Sequence, residues 1–260
     1  LRLNDLEAKW KFNLPTLKQR IEGISDGHLV MIGARPNTGK TSFQASIIAG
    51  PGGFVEQGAR CIILTNEEAY HRVGSRYLTA TTGMDMKAIK NNPAKAGMLY
   101  KKVTDRLTIK DCTGLYMDYV ELTIKATKPD IVVLDMGDKF AKTAGFARTD
   151  EALKANAVHA RMIAKQHECA VFYMSQLSAD AEGKILLNQS MMEGSRTGKA
   201  AEADLMILIA KDAPVNNKSG NDDGGEESTL RHSNVVKNKL SGWHGRIVCD
   251  LDYKTARYTA

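Results

Sequence analysis

The sequence predicts an α/β fold: a mostly parallel, twisted sheet with helices on both faces and a C-terminal antiparallel meander. Two observations lead there. Apolar runs recur along the chain as continuous rather than alternating stretches, as strands buried on both faces require. From Ser228 onward the runs shorten and are interrupted by Ser241-Gly242 and His244-Gly245, as in antiparallel strands joined by turns. The size permits such a fold, since 260 residues with 43% hydrophobic and 25% charged side chains suit one large domain with a sizeable core.

The elements follow in order. Leu3, Leu6, Trp10 and Phe12 make residues 1–12 a candidate arm or linker, leaving 13–260 as the domain. Strands are expected at 28–32, 60–64, 107–109, 131–134, 170–174 and 205–209. A helix over 40–57 connects the first two, and another over 150–167 connects the fourth and fifth as crossovers. In the latter, Ala152, Leu153, Val158, Met162 and Ile163 have amphipathic spacing and Asp150 is suited to cap the start. Residues 213–233 are too polar and Gly-rich to pack and read as a surface loop. Val235-Val236, Ile247-Val248 and the stretch to Tyr258 form the meander. There is no internal repeat.

Lys and Arg number 36 against 30 Asp and Glu, a net charge of +6. That permits a polyanionic partner without requiring one. The longest apolar runs, such as 205–210, fall far short of the roughly 20 residues that span a bilayer, so no membrane partner is expected. The N-terminus has neither an initiator Met nor the apolar core of a signal peptide, and reads as a piece of a longer cytoplasmic protein. Cys61, Cys112, Cys169 and Cys249 lie far apart, and Cys61 and Cys169 precede apolar runs as buried free thiols do.

The strongest chemical signal is Ala34-Arg35-Pro36-Asn37-Thr38-Gly39-Lys40-Thr41, followed by Ser42. It leaves an expected strand and opens an expected helix. This is the P-loop pattern with Ala34 in place of its first Gly. Backbone N–H groups at such a helix N-terminus cradle phosphates, Lys40 reaches the β- and γ-phosphates, and Thr41 ligates Mg²⁺. A P-loop site also needs a carboxylate near the metal at the end of a neighbouring strand. Asp135, closing Ile131-Val132-Val133-Leu134-Asp135, occupies such an end. Asn66-Glu67-Glu68 brings two more carboxylates to the same rim, either of which could serve as general base, or sit in the first turn of a helix. Gln176, closing Tyr173-Met174-Ser175-Gln176, is placed to sense a γ-phosphate or to cap a turn.

Taken in order, Gly33-Ala34-Arg35-Pro36 leading into the P-loop, Asn66-Glu67-Glu68, Ile131 to Asp135 and Met174-Ser175-Gln176-Leu177 resemble the motifs of the DnaB-like replicative helicases. Ala201-Glu202-Ala203-Asp204 and Val235-Val236-Lys237-Asn238-Lys239 extend the similarity over nearly the whole chain. The resemblance implies a RecA-like P-loop NTPase core that assembles as a homo-hexameric ring, hydrolyses ATP or another nucleoside triphosphate with Mg²⁺ between subunits, and translocates on single-stranded DNA. By it, Glu67 is the catalytic glutamate, Asp135 the Mg²⁺-linked aspartate and Gln176 the sensor. Lys237 and Lys239 match residues that reach the neighbour's nucleotide, with Lys239 standing where the family has an arginine finger. Lysine keeps the charge but loses the planar fork, and Arg246 is the substitute if the register is shifted. The family lines its channel with the loops here at 137–149 and 178–199, whose Lys139, Lys142, Arg148, Lys184, Arg196 and Lys199 would bind DNA phosphates. Phe140 and Phe146 are the aromatics of the first loop. A collar or primase domain ahead of residue 1 is also implied. The competing reading is a RecA-like ATPase that assembles on DNA without unwinding it.

Overall fold

The computed structural model describes residues 7–140, 149–193, 198–212 and 228–260. Six parallel strands, β1 (Leu29–Ala34), β2 (Cys61–Thr65), β3 (Leu107–Asp111), β4 (Ile131–Asp135), β5 (Ala170–Gln176) and β6 (Leu205–Lys211), are joined by antiparallel β7 (Leu230–Asn238), β8 (Gly245–Asp252) and β9 (Arg257–Thr259). They make one sheet in the order β3-β2-β4-β5-β1-β6-β7-β8-β9. Each expected parallel strand is present and runs one or two residues further toward its carboxyl end. The extension carries Ala34, Thr65, Asp135 and Gln176 to one rim of the sheet.

Both faces of the sheet are covered, which is why its strands read as continuous apolar runs. Val30 and Ile32 of β1 and Ala170, Phe172 and Met174 of β5 enter one core. Their neighbours Leu29, Met31, Val171 and Tyr173 enter the other. On the first face lie α1 (Pro15–Arg20), α2 (Lys40–Ala49), α3 (Tyr70–Thr82) and α5 (Pro93–Thr104), the last preceded by the short α4 (Met86–Asn91). On the second lie α6 (Met117–Thr127), α7 (Thr149–Gln166) and α8 (Gly198–Glu202). Each large side chain fully buried here contributes about 1.5–3 kcal/mol relative to exposure.

Several expectations are corrected. The helix after β1 ends at Ala49 and not near 57, because Gly50 takes an extended C-cap conformation and Pro51-Gly52-Gly53 cannot continue it. β3 is the edge strand, and only Leu107 of its residues is buried. On α7, Met162 is exposed. The helix instead buries Ala157, Ala160 and Ala164 with Leu153 and Ile163, small residues that let it lie close on the sheet. The expected loop to residue 233 gives way at Leu230 to β7, whose Arg231, His232 and Ser233 are buried. Near the start of the described residues, Trp10 pairs with Ile24, and Phe12 packs edge-on against Phe54 in the first core. All four cysteines are free and buried. Among the described residues no helix is long and apolar enough to cross a membrane.

Candidate functional site

β1 delivers the chain to Ala34, and the loop that follows turns through Asn37 (φ 59°) and Gly39 (φ 98°) into α2. No side chain caps α2, so its first N–H groups stay free for an anion. Gly39 is required on two counts. Its φ is left-handed, and a Cβ there would lie 2.6 Å from Leu251 Cδ2 and 2.8 Å from Tyr258 Oη. The C-terminal meander braces the loop from behind: Tyr258 Oη donates to Gly39 O (3.2 Å) and Arg231 Nε donates to Thr38 O (2.7 Å). Thr38 is thereby buried, while the remaining loop residues from Ala34 to Ser42 line a cavity of about 610 Å³. Glu67, Glu68, Arg76, Met136, Gln176 and Tyr253 complete its walls. The volume falls in the range of small-ligand sites.

Asp135 is buried behind the cavity wall, near enough to Lys40 for their charges to interact. Burial lowers the Lys40 ammonium from its ordinary value, against the pull of Asp135, Glu67 and Asp138. Burial likewise pushes the Asp135 carboxyl up to about 6, although Lys40 opposes it. Asp135 Oδ1 is buried with no hydrogen-bond partner, an arrangement that leaves an acceptor waiting for a ligand. Thr41, one residue beyond Lys40, adds a hydroxyl. This donor set fits Mg²⁺, which takes one or two protein oxygens and completes its shell with water and substrate phosphate. Among the described residues no cluster of three or more His, Cys, Asp or Glu could hold a metal by itself. Met136, with φ 61°, lays its Sδ against Lys40 Nζ.

Glu67 and Glu68 lie in the bend between β2 and α3, not in a first helical turn, since α3 starts at Tyr70. They have different partners. Glu68 Oε2 accepts from Arg76 at 2.7 Å, and Glu67 Oε1 accepts from Lys139 at 2.8 Å. Gln176 pairs in register with Ala34, so the end of β5 stands directly beside the start of the phosphate loop.

The profile of the DnaB-like helicase C terminal domain matches residues 11–259. The chain belongs to that family. As a member of it the domain binds nucleotide and hydrolyses nucleoside triphosphate. A structure titled as a DnaB-like replicative helicase and its interactions with primase superposes with a TM-score of 0.80 at 17% identity, covering 95% of this chain and 60% of that one. A second structure, titled as an ATPase domain, superposes with a TM-score of 0.76 at 17% identity, covering 92% of this chain and 86% of that one. The chain thus spans about three fifths of the first relative's length. No curated protein sequence matches.

In this DnaB-like domain Lys237 sits near the far end of β7 and Lys239 just beyond it. Lys237 pairs with Met206 near the start of β6, whereas Ala34 is level with Ile209 near its end. Neither lysine lines the chain's own cavity. Lys237 Nζ donates to the carbonyls of Ala200 (2.6 Å) and Ala201 (3.0 Å), and burial, then Lys239, lowers its pKa. Lys184 and Arg246 are exposed, and Lys139 is half exposed. Lys142, Arg148, Arg196 and Phe146 lie outside the described residues. Lys199 corrects an expectation: its side chain is fully buried and its ammonium binds Asp138 and Ser175, so it does not face DNA. Phe140 is buried as well.

Four residues at or behind the cavity escaped the sequence reading: Arg76, Met136, Asp138 and Arg231. Only Asp138 left a trace, as a charge three residues past Asp135. Tyr253 lies on the cavity wall with the Arg231 guanidinium 5.1 Å from its ring centroid.

Proposed function

We propose that this domain is the ATP-hydrolysing motor of a hexameric replicative DNA helicase that translocates on single-stranded DNA and unwinds duplex. The observation that carries the reading is the meeting of Lys40, Thr41, Glu67 and Gln176 around one cavity at the sheet's carboxyl rim, with Asp135 buried near Lys40 behind its wall. The uncapped α2 N-terminus cradles the phosphates and Lys40 neutralises the β- and γ-oxygens. Thr41 and Asp135 would hold Mg²⁺, which when bound offsets charge on the transferring phosphoryl group. Glu67 accepts the proton of the attacking water as the bond from β-phosphate oxygen to γ-phosphorus breaks. Gln176 hydrogen-bonds the γ-phosphate. Tyr253 stacks on the base, its opposite face supported by Arg231.

Lys237 and Lys239, remote from their own cavity, are the residues that would serve a neighbour's nucleotide across the ring. Lys139 and Lys184, with Lys142, Arg148 and Arg196, track DNA phosphates, giving binding that weakens steeply with salt. A primase or collar domain is the proposed partner, and the cytoplasm the proposed setting.

The test is strand displacement from a forked duplex together with nucleotide hydrolysis, on wild type and Lys40→Ala. Both activities should be present in the first and lost in the second. Hydrolysis and DNA binding without displacement would favour the non-unwinding ATPase. Hydrolysis that survives Lys40→Ala would sink the assignment of the cavity. Mg²⁺ with nucleotide should raise the melting temperature of the wild type and not that of Asp135→Asn.

A further inference from the structure

Beside the cavity lies a buried ion pair with no part in the hydrolytic steps. Lys199 Nζ on α8 stands 2.6 Å from Asp138 Oδ1, with the lysine side chain wholly buried and the aspartate nearly so. The same ammonium donates to Ser175 Oγ (2.9 Å) and lies 5.8 Å from the centroid of the Tyr173 ring. Asp138 in turn accepts from Tyr173 Oη (3.0 Å), Ser175 Oγ (2.5 Å) and Gln176 N (3.4 Å). Three segments are thereby pinned at one point: the turn after β4, the carboxyl end of β5 and α8.

The position of Asp138 in its own segment gives the pin a consequence. Two residues before it, Met136 lays its thioether on Lys40 Nζ; one residue after it, Lys139 holds Glu67 at 2.8 Å. On the other strand the pin reaches the backbone N–H of Gln176. One buried pair is therefore connected through its own segment to the P-loop lysine and across to the β5 glutamine. Packing alone gives no reason for it, because two charges taken out of water often stabilise a fold no better than apolar residues of similar volume. A fixed polar geometry is what such a pair adds.

We propose that Asp138 and Lys199 are positioning residues for nucleotide hydrolysis. Their pair sets residues 136–139 against the end of β5 and so aligns Lys40 and Gln176 on the γ-phosphate. The inference rests on the nucleotide reading of the cavity. It separates two functions that share the site: phosphate binding depends on the loop at 34–42, which the meander braces independently, whereas alignment for hydrolysis depends on the pair.

The experiment measures steady-state ATP hydrolysis and thermal unfolding for wild type, Lys199→Met and the double variant Asp138→Asn with Lys199→Met. The single variant strands a buried carboxylate and should melt lower. The double variant removes both charges, keeps the bulk, and should melt with the wild type. In the double variant KM should stay within about twofold while kcat falls roughly tenfold to a hundredfold, the usual cost of slight misplacement. Wild-type kcat in the double variant overturns the proposal. So does a rise in KM at constant kcat, a loss of activity that only parallels a loss of melting temperature, or a double variant that does not fold. A wild type without hydrolysis would fail the nucleotide reading itself, a different result from a double variant as active as the wild type.

Discussion

Lys139 Nζ stands 2.8 Å from Glu67 Oε1 and so ties the turn after β4 to the bend after β2. Both side chains are substantially exposed, at 47% and 36%, and such a pair contributes no more than about 1 kcal/mol. It is therefore a contact that forms and breaks at little cost. While it holds, the ammonium occupies a carboxylate oxygen that would otherwise be open to the attacking water. Lys139→Ala should leave the melting temperature nearly unchanged and raise hydrolysis measured without DNA. It should also weaken single-stranded DNA binding and flatten its dependence on salt. A basal rate that falls would mean that Lys139 serves the site rather than restraining it.

The two rim glutamates should separate cleanly in kinetics. Glu68 is committed to Arg76 on α3 at 2.7 Å, whereas the partner of Glu67 is the labile one. Glu67→Gln should lower kcat by about a hundredfold or more, the contribution of a general base, with nucleotide affinity retained. Glu68→Gln should have a much smaller effect on kcat. The reverse order in a single-turnover assay would transfer the role of base to Glu68.

Gly39 tests the phosphate loop by backbone alone. Gly39→Ala places a side chain at φ 98° and pushes its Cβ toward Leu251 and Tyr258. The left-handed conformation alone costs about 1–3 kcal/mol, and the loop can relax only by moving its N–H groups off the phosphates. Chemical denaturation should show that loss and a nucleotide titration should show weakened binding. Gly97, in α5 with open space around it, is the control, since Gly97→Ala should be neutral or stabilising by about 0.5–1 kcal/mol.

The parts of the site that could be read from sequence are those whose chemistry is local. Lys40 and Thr41 follow a strand and open a helix within a few residues, and Asp135 and Gln176 end apolar runs. What stayed hidden is long-range. Arg231 reaches Thr38 across 193 positions, and nothing in the polar stretch Arg231-His232-Ser233 distinguishes a buried strand from a loop. Lys199 reads as a surface charge because lysine usually is one. Its burial depends on Asp138, 61 positions away. Met162 failed for a different reason: large apolar residues marked the α7 stripe, but close packing on the sheet selects the alanines.

A last relationship concerns pH rather than catalysis. Glu121 on α6 accepts from His159 Nε2 (3.0 Å) on α7 and from His167 Nε2 (3.2 Å) just beyond it. Those two hydrogen bonds, outweighing the effect of burial, hold the Glu121 carboxyl below its ordinary value. A depressed carboxylate binds its proton less readily in the folded state than in the unfolded chain. Its contribution to stability is therefore complete above the unfolded pKa, about 4.3, and is lost as pH falls through the lower folded value. With the side chain 35% exposed, solvent screening limits the contribution to about 1 kcal/mol or less. Urea unfolding of wild type and Glu121→Gln should show the wild type ahead at neutral pH, with the gap closing as the solution is acidified below that unfolded pKa. A gap that stays constant with pH would mean that the glutamate acts through packing of α6 on α7 and not through its charge.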